Sequence, residues 1–328
     1  MINPRLDVFV VGAGVSGLTS AICLAEAGLS VAIQAAEPPR ATTSVVAGAL
    51  WGTHLVGADE RVPGWAGQTH AVLTGLAGDP ATGVQVSQGV MADREEQDQP
   101  PDAPNATVPV EYTPCAPGTI PAGYVAGWRL TAPLVSMPDY LSYLEARFLG
   151  AGGTMLEPRW FATLGDAARQ TEARVIVSCP GTGARDLVPD PSVTAVRGQV
   201  VVVANPGLTE FFVGMGPDPD DLTYVFPHQD TVILGGTQEH DRWSRDPDPG
   251  TARRILAECA AVDPRLRGAP VLEHRVGLRP ARPRVRLEAE RLSDGRSLVH
   301  NYGHGGAGVS LSWGCAQDAA KLALAALG

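Results

Sequence analysis

The segment LDVFVVGAGVSGLTSAICLAEAGLSVAIQAAE, residues 6–37, most restricts the folds open to this chain. Leu6 to Val11 is a short apolar run, as a strand buried on both faces requires. Gly12, Gly14 and Gly17 form G-x-G-x-x-G, with Ala13, Val15 and Ser16 among them. Apolar residues at 18, 22 and 25 follow at helical spacing, Gly28 stands where a helix C-cap is wanted, and Leu29 to Gln34 reads as the next strand. Glu37 follows, twenty-five residues after Gly12. In such a unit the first glycine permits a tight turn, the second lets backbone approach a pyrophosphate, and the third allows close helix packing. The helix N-terminus attracts phosphate, and the acid can accept from a ribose hydroxyl. A dinucleotide site is the expectation. A serine nucleophile at Ser16 is not, because a G-x-S-x-G elbow would need glycine where Leu18 stands.

Composition removes other classes. The 328 residues carry a formal net charge of −10, a poor basis for holding nucleic acid, which needs clustered positive charge. There is one lysine, Lys321, so neither a P-loop nor a pyridoxal Schiff base is expected. The five cysteines (23, 115, 179, 259 and 315) include no C-x-x-C, so reduced thiols in a cytoplasmic protein are expected, without a metal site. No apolar run approaches the ~18 residues of a membrane span. The N-terminus enters a strand at once, leaving no room for a signal peptide.

The stretch 40–52, RATTSVVAGALWG, is rich in small and hydroxyl residues that let backbone follow a long ligand. Thr42, Thr43, Ser44, Gly48, Ala49 and Leu50 are therefore candidate cofactor contacts. A nicotinamide enzyme would continue alternating strands and helices here. Instead the pattern breaks into turn-rich sequence from 53 to about 130, including an acidic, proline-rich loop over 93–106. This favours a flavoprotein with an inserted layer. A helix is expected over 137–153, with Leu141, Leu144 and Phe148 on one face. A second strand-and-glycine signal follows at 175–183, making Gly181 another candidate contact. Strands are expected over 196–206 and 222–238, the latter a hairpin turning at 228–230. A helix near 250–259, a strand-like segment over 274–287 and a C-terminal helix from about Val309 complete the pattern.

Residues 300–315 read HNYGHGGAGVSLSWGC. A zinc site would need further ligands at suitable spacing. A hydrolase oxyanion hole would need the missing serine elbow. The remaining reading is a glycine turn opening a helix, whose N-terminus carries about half a positive charge and could face a flavin.

VVGAGVSGLT, TSVVAGALW, VRGQ, VGLRPARPRVRLE and HNYGHGGAGVSLSWGCA together resemble the D-amino acid oxidase family, in order and over nearly the whole chain. The resemblance implies an α/β fold of two domains: a Rossmann-like FAD-binding domain with a parallel sheet (1–55, 137–190 and 275–328) and an antiparallel substrate domain (56–136 and 191–274). It implies FAD as cofactor and oxidation of a D-amino acid by O2 to a 2-oxo acid, ammonia and hydrogen peroxide. Arg279 matches the family arginine that clamps the substrate carboxylate, and Tyr224 a tyrosine beside it. The Gly306 carbonyl would accept from the substrate amine. Gly305, Gly306, Ala307, Gly308, Val309, Ser310 and Arg279 would line the flavin. No side-chain base is implied; His304 could serve as one, although packing suits it better. Gln238 follows Gly235-Gly236-Thr237 where relatives preferring acidic substrates carry arginine, so neutral substrates are expected. The chain departs from the family at Asp220, where a second active-site tyrosine stands, at the short segment 207–222, at Ala36 and at Ala307. Oxidases of D-aspartate, glycine or N-methyl amino acids, and a non-catalytic flavin module, remain alternatives; a homodimer is one option for assembly.

Overall fold

The computed structural model describes residues 6–97, 110–116, 118–216 and 222–328. The chain opens with β1 (Val8–Val11), α1 (Val15–Glu26) and β2 (Val31–Gln34), then α2 (Val62–Leu76), β3 (Val84–Asp93), β4 (Thr113–Pro114) and β5 (Ala126–Val135). It continues through α3 (Met137–Gly150), β6 (Thr154–Met155), α4 (Leu164–Ala168), β7 (Val175–Ser178) and α5 (Ala184–Leu187). β8 (Thr194–Ala204), β9 (Phe211–Met215), β10 (Leu222–Pro227), β11 (Thr231–Gly235), β12 (Glu239–His240) and α6 (Pro249–Val262) follow. β13 (Val271–Ala281), β14 (Arg286–Arg291), β15 (Ser297–Tyr302) and α7 (Gly308–Leu327) end the chain.

Among the described residues the strands form two sheets. One has the order β14-β15-β7-β1-β2-β6, parallel except for the edge strand β14. Apolar side chains cover both of its faces, which is why β1 and β7 read as unbroken apolar runs. On one face α1, α3 and α7 bury Leu18, Ile22, Leu141, Leu144, Phe148 and Leu311. The other sheet runs β12-β8-β11-β10-β9-β3-β5-β4, with β13 also on β8. It is antiparallel save for β3 against β9. α6 covers one face through Ile255 and Cys259. Leu130, Val200, Val213, Tyr224 and Phe226 group on the opposite face.

Two expectations change. Residues 275–281, assigned by sequence to the dinucleotide unit, pair along β8 in the second sheet as part of β13; only β14 onward joins the first. Their apolar pattern fits either sheet, and the long valine-rich β8 supplies the register. The turn-rich segment after residue 53 holds α2 and two ten-residue strands, β3 and β5. Pro63 and glycines 64, 67 and 75 give α2 little helical propensity. Packing on α7 supports it instead: Trp65 Nε1 donates to Asp318 at 2.8 Å, and Gly314 N to Thr69 Oγ1 at 3.1 Å. Of the loop over 93–106, Asp93 ends β3, and residues 98–106 lie outside the described residues, as does Asp220. No described helix is long and apolar enough to cross a membrane.

Candidate active site

A cavity of about 540 Å³ extends from the G-x-G-x-x-G turn to the second sheet. Gly12, Ala13, Gly14, Val15 and Ser16 line its first end, joined by Glu37, Thr42, Thr43 and Ser44. Gly48, Leu50, Gly181, Gly305, Gly306, Gly308 and Val309 line its length, and Tyr224 and Arg279 its far end. Four candidates stand behind this wall. Gly17 packs on the turn: a Cβ there would fall 2.0 Å from the Gly12 carbonyl oxygen. Ala49 accepts from Val135 N at 3.1 Å, Ala307 is buried ahead of α7, and the Ser310 hydroxyl accepts from Gly52 N at 3.0 Å. They shape the cavity without lining it.

The turn suits a long anionic ligand. A Cβ at Gly12, whose φ is +113°, would lie 2.3 Å from the Cys179 carbonyl oxygen, so only glycine brings the loop this close to β7. Neither α1 nor α7 has a side-chain N-cap or an acid in its first turn. Their positive ends are left to neighbouring groups or a ligand, except that Val15 N donates to Ser44 Oγ at 3.0 Å. Gly305 meets the Leu55 carbonyl so closely that a Cβ would fall 1.8 Å from its oxygen. Glu37 pairs through Oε1 with Arg245 at 2.8 Å, and Arg245 also donates to the Ala41 carbonyl. This exposed pair contributes about 1 kcal/mol at most.

At the far end Arg279 Nη1 donates to the Thr237 carbonyl at 2.9 Å. Gly198 makes room for the guanidinium, since a Cβ there would lie 2.5 Å from Nη1. The Tyr224 ring stacks on Phe226 with centroids 4.6 Å apart. Burial raises the Tyr224 pKa, and Arg279 partly offsets this, so the phenol stays a proton donor near neutral pH. Between these groups and the glycine turn the second sheet offers an apolar wall that includes Met91, Leu130, Val200, Val213 and Met215.

This chain matches the family model described as FAD dependent oxidoreductase over residues 7–322. It belongs to that family. It is 50% identical to a D-amino-acid oxidase of Rubrobacter xylanophilus, over 97% of this chain and 96% of the relative. It is 46% identical to a D-amino-acid oxidase of Streptomyces coelicolor, again over 97% and 96%. Among solved structures, glycine oxidase from Bacillus cereus superposes with a TM-score of 0.76 at 18% identity, over 98% of this chain and 95% of that one. That likeness shows the fold alone.

A flavin is the family's cofactor, and the glycine cradle, uncapped helix ends and long cavity fit one. Sequence reasoning missed several cavity residues. His54 lines the cavity and its Nε2 meets Gln238 Nε2 at 3.0 Å; since the amide nitrogen can only donate, His54 Nε2 accepts. Arg245, Met91 and Leu130 also gave no motif signal, because they reach the cavity through the second sheet's topology. His304 Nε2 meets Asn301 Oδ1 at 3.0 Å, and burial lowers its pKa to about 4. It is therefore neutral near pH 7, which suits packing better than base catalysis. Among the described residues no cluster of three His, Cys, Asp or Glu could hold a metal ion.

Proposed function

We propose that this chain is an FAD-dependent oxidase of neutral D-amino acids. The observation that carries the reading is Arg279, held beside Tyr224 where the cavity meets an apolar wall. A guanidinium can clamp a carboxylate through two parallel hydrogen bonds, and the phenol can donate a third. The names of the full-length bacterial relatives support the same reaction.

In this reading the turn at 12–17 and the first turn of α1 hold the pyrophosphate, Glu37 accepts from the adenosine ribose, and the segments 42–50 and 305–310 follow the flavin. A flavin held there would supply a two-electron acceptor for the hydride leaving the substrate Cα, with oxygen as the final oxidant. Arg279 and Tyr224 fix the carboxylate, the Gly306 carbonyl receives the amine, and the apolar wall takes the side chain. Positioning is the protein's chief contribution, and no side-chain base is assigned. With the amine bound neutral, its lone pair becomes the second C–N bond as hydride leaves Cα, giving an iminium that sheds a proton to form the imino acid. Water converts this to 2-oxo acid and ammonia, and oxygen with two electrons and two protons becomes hydrogen peroxide.

Neutral substrates follow from the charges. The described cavity lining holds three arginines: Arg279 for the common carboxylate, and Arg159 and Arg245 near Ala35 and Glu37 at the cofactor end. A second carboxylate against the apolar wall would lack a cation, costing several kcal/mol. The division into a flavin-holding and a substrate-facing unit follows the two sheets. Burial raises Cys179 and Cys259 to about 12, which leaves these two thiols unreactive near neutral pH. The purified protein should be yellow, release FAD on denaturation, and bind benzoate with a change in the flavin spectrum. Release of another flavin would overturn the cofactor assignment, and failure to bind benzoate the carboxylate site.

A further inference from the structure

Arg197 does not line the cavity, yet it is the only arginine among the described residues that is fully buried. It belongs to VRGQ, a motif whose role neither flavin nor substrate explains. From β8 its Nε donates to Ser244 O at 3.0 Å, Nη1 to Glu239 Oε1 at 2.5 Å, and Nη2 to Asp246 O at 2.6 Å and Gln199 Oε1 at 2.9 Å. Three of these four acceptors lie on the segment after β11. Gln199 extends the grip: its Nε2 donates to Asp248 O at 2.8 Å, and its backbone N to Thr237 Oγ1 at 2.9 Å. Together the two β8 side chains fasten residues 239–248, and the Gln199 backbone N holds Thr237 just ahead of them.

That segment serves both ends of the cavity. The Thr237 carbonyl receives Arg279 Nη1 at 2.9 Å, and Arg245 reaches Glu37 Oε1 at 2.8 Å and the Ala41 carbonyl at 3.1 Å. We propose that Arg197 is a positioning residue that, by holding residues 239–246, sets the carboxylate clamp next to Thr237 at one end and the Glu37–Arg245 closure over the cofactor at the other. The inference rests on the assignment of Arg279 and Glu37 made above. The planar guanidinium suits the task, because it directs its donors along separate fixed lines. A lysine ammonium has three donors at one point and cannot reach acceptors spread over residues 199, 239, 244 and 246.

The test uses the full-length flavin-loaded protein. Benzoate affinity is read from the visible flavin spectrum of the loaded fraction, FAD retention from the fluorescence released on dilution, and kcat and KM from peroxide at saturating FAD. Arg197→Lys should raise the benzoate Kd and the substrate KM at least fivefold, change kcat less than twofold, and raise the FAD Kd at least fivefold. Glu239→Gln should move the same constants in the same directions. Arg245→Ala should raise the FAD Kd while leaving benzoate within twofold, because Arg245 does not touch Arg279. A merely structural role would lower the melting temperature and the loaded fraction without moving the benzoate Kd of the molecules that remain loaded. The proposal is overturned if folded Arg197→Lys keeps both binding constants within twofold of the parent. If that variant fails to fold, unchanged constants in Glu239→Gln overturn it instead. An Arg279→Ala control separates the two readings. Wild-type benzoate binding there would refute the clamp itself, and the FAD measurements would then judge Arg197 alone.

Discussion

At the scale of single residues, Arg279 and His304 show how environment decides what a side chain can do. Arg279 is held by one carbonyl and given space by Gly198, so its fork can meet a carboxylate. Removing it leaves a desolvated ligand charge unpaired, at a cost on the order of 2–5 kcal/mol. Arg279→Ala should therefore retain flavin, with benzoate affinity and kcat/KM both falling well over tenfold; titration of the flavin spectrum checks the first and peroxide assays the second. His304 is buried neutral, with a folded pKa near 4 against an ordinary value of 6.5. Below pH 6.5 the unfolded chain takes up a proton that the folded chain refuses. Stability contributed at neutral pH is thus lost as pH falls toward 4, by roughly 2–4 kcal/mol. His304→Gln should flatten the fall in melting temperature over that range, measured with excess flavin. Motifs made Arg279 and Tyr224 legible because each sits in a short recognisable string. His54 and Arg245 were not legible, since both stand in loops brought to the cavity by contacts with residues far away in the chain, Gln238 for His54 and Glu37 and Ala41 for Arg245.

Among the elements, the β1–α1–β2 unit could be read almost residue by residue, because a buried parallel strand, a glycine turn and an amphipathic helix each impose their own periodicity. The helix over 137–150 was equally plain, with Leu141, Leu144 and Phe148 fully buried. α2 was hidden because glycines mask a helix that tertiary contact stabilises. Those contacts yield a paired prediction. A Cβ at Gly314 in α7 would stand 2.3 Å from Trp65 Cα, backbone that cannot yield without separating the helices. Overpacking costs about 1–3 kcal/mol, more than the ~1 kcal/mol alanine gains in helix propensity, so Gly314→Ala should destabilise. A Cβ at Gly64 in α2 meets nothing within 4 Å, so Gly64→Ala should stabilise by about 0.5–1 kcal/mol. Urea midpoints at constant m-value would test both. β13 was misplaced for a related reason: alternation marks a strand but does not name its sheet.

On the scale of the whole molecule, the proposed function gives the two sheets separate tasks. The parallel sheet and its helix ends present positive dipoles and bare backbone, fitted to a cofactor. The second sheet presents an apolar face with Arg279 at its end, fitted to an amino acid. With no spare cation among the described residues of the apolar wall, kcat/KM for D-methionine or D-leucine should exceed that for D-aspartate by 10²-fold or more, the several kcal/mol of an unpaired carboxylate. The resemblance and the cofactor unit were clear in the sequence; the wall's shape was not, since it is assembled from strands far apart in the chain. Peroxide release from matched D- and L-forms of methionine, leucine, alanine and aspartate, with glycine alongside, tests the central claim most directly. The account predicts rapid release from neutral D-forms, little from D-aspartate and none above background from L-forms. Faster turnover of L-forms or glycine would contradict it.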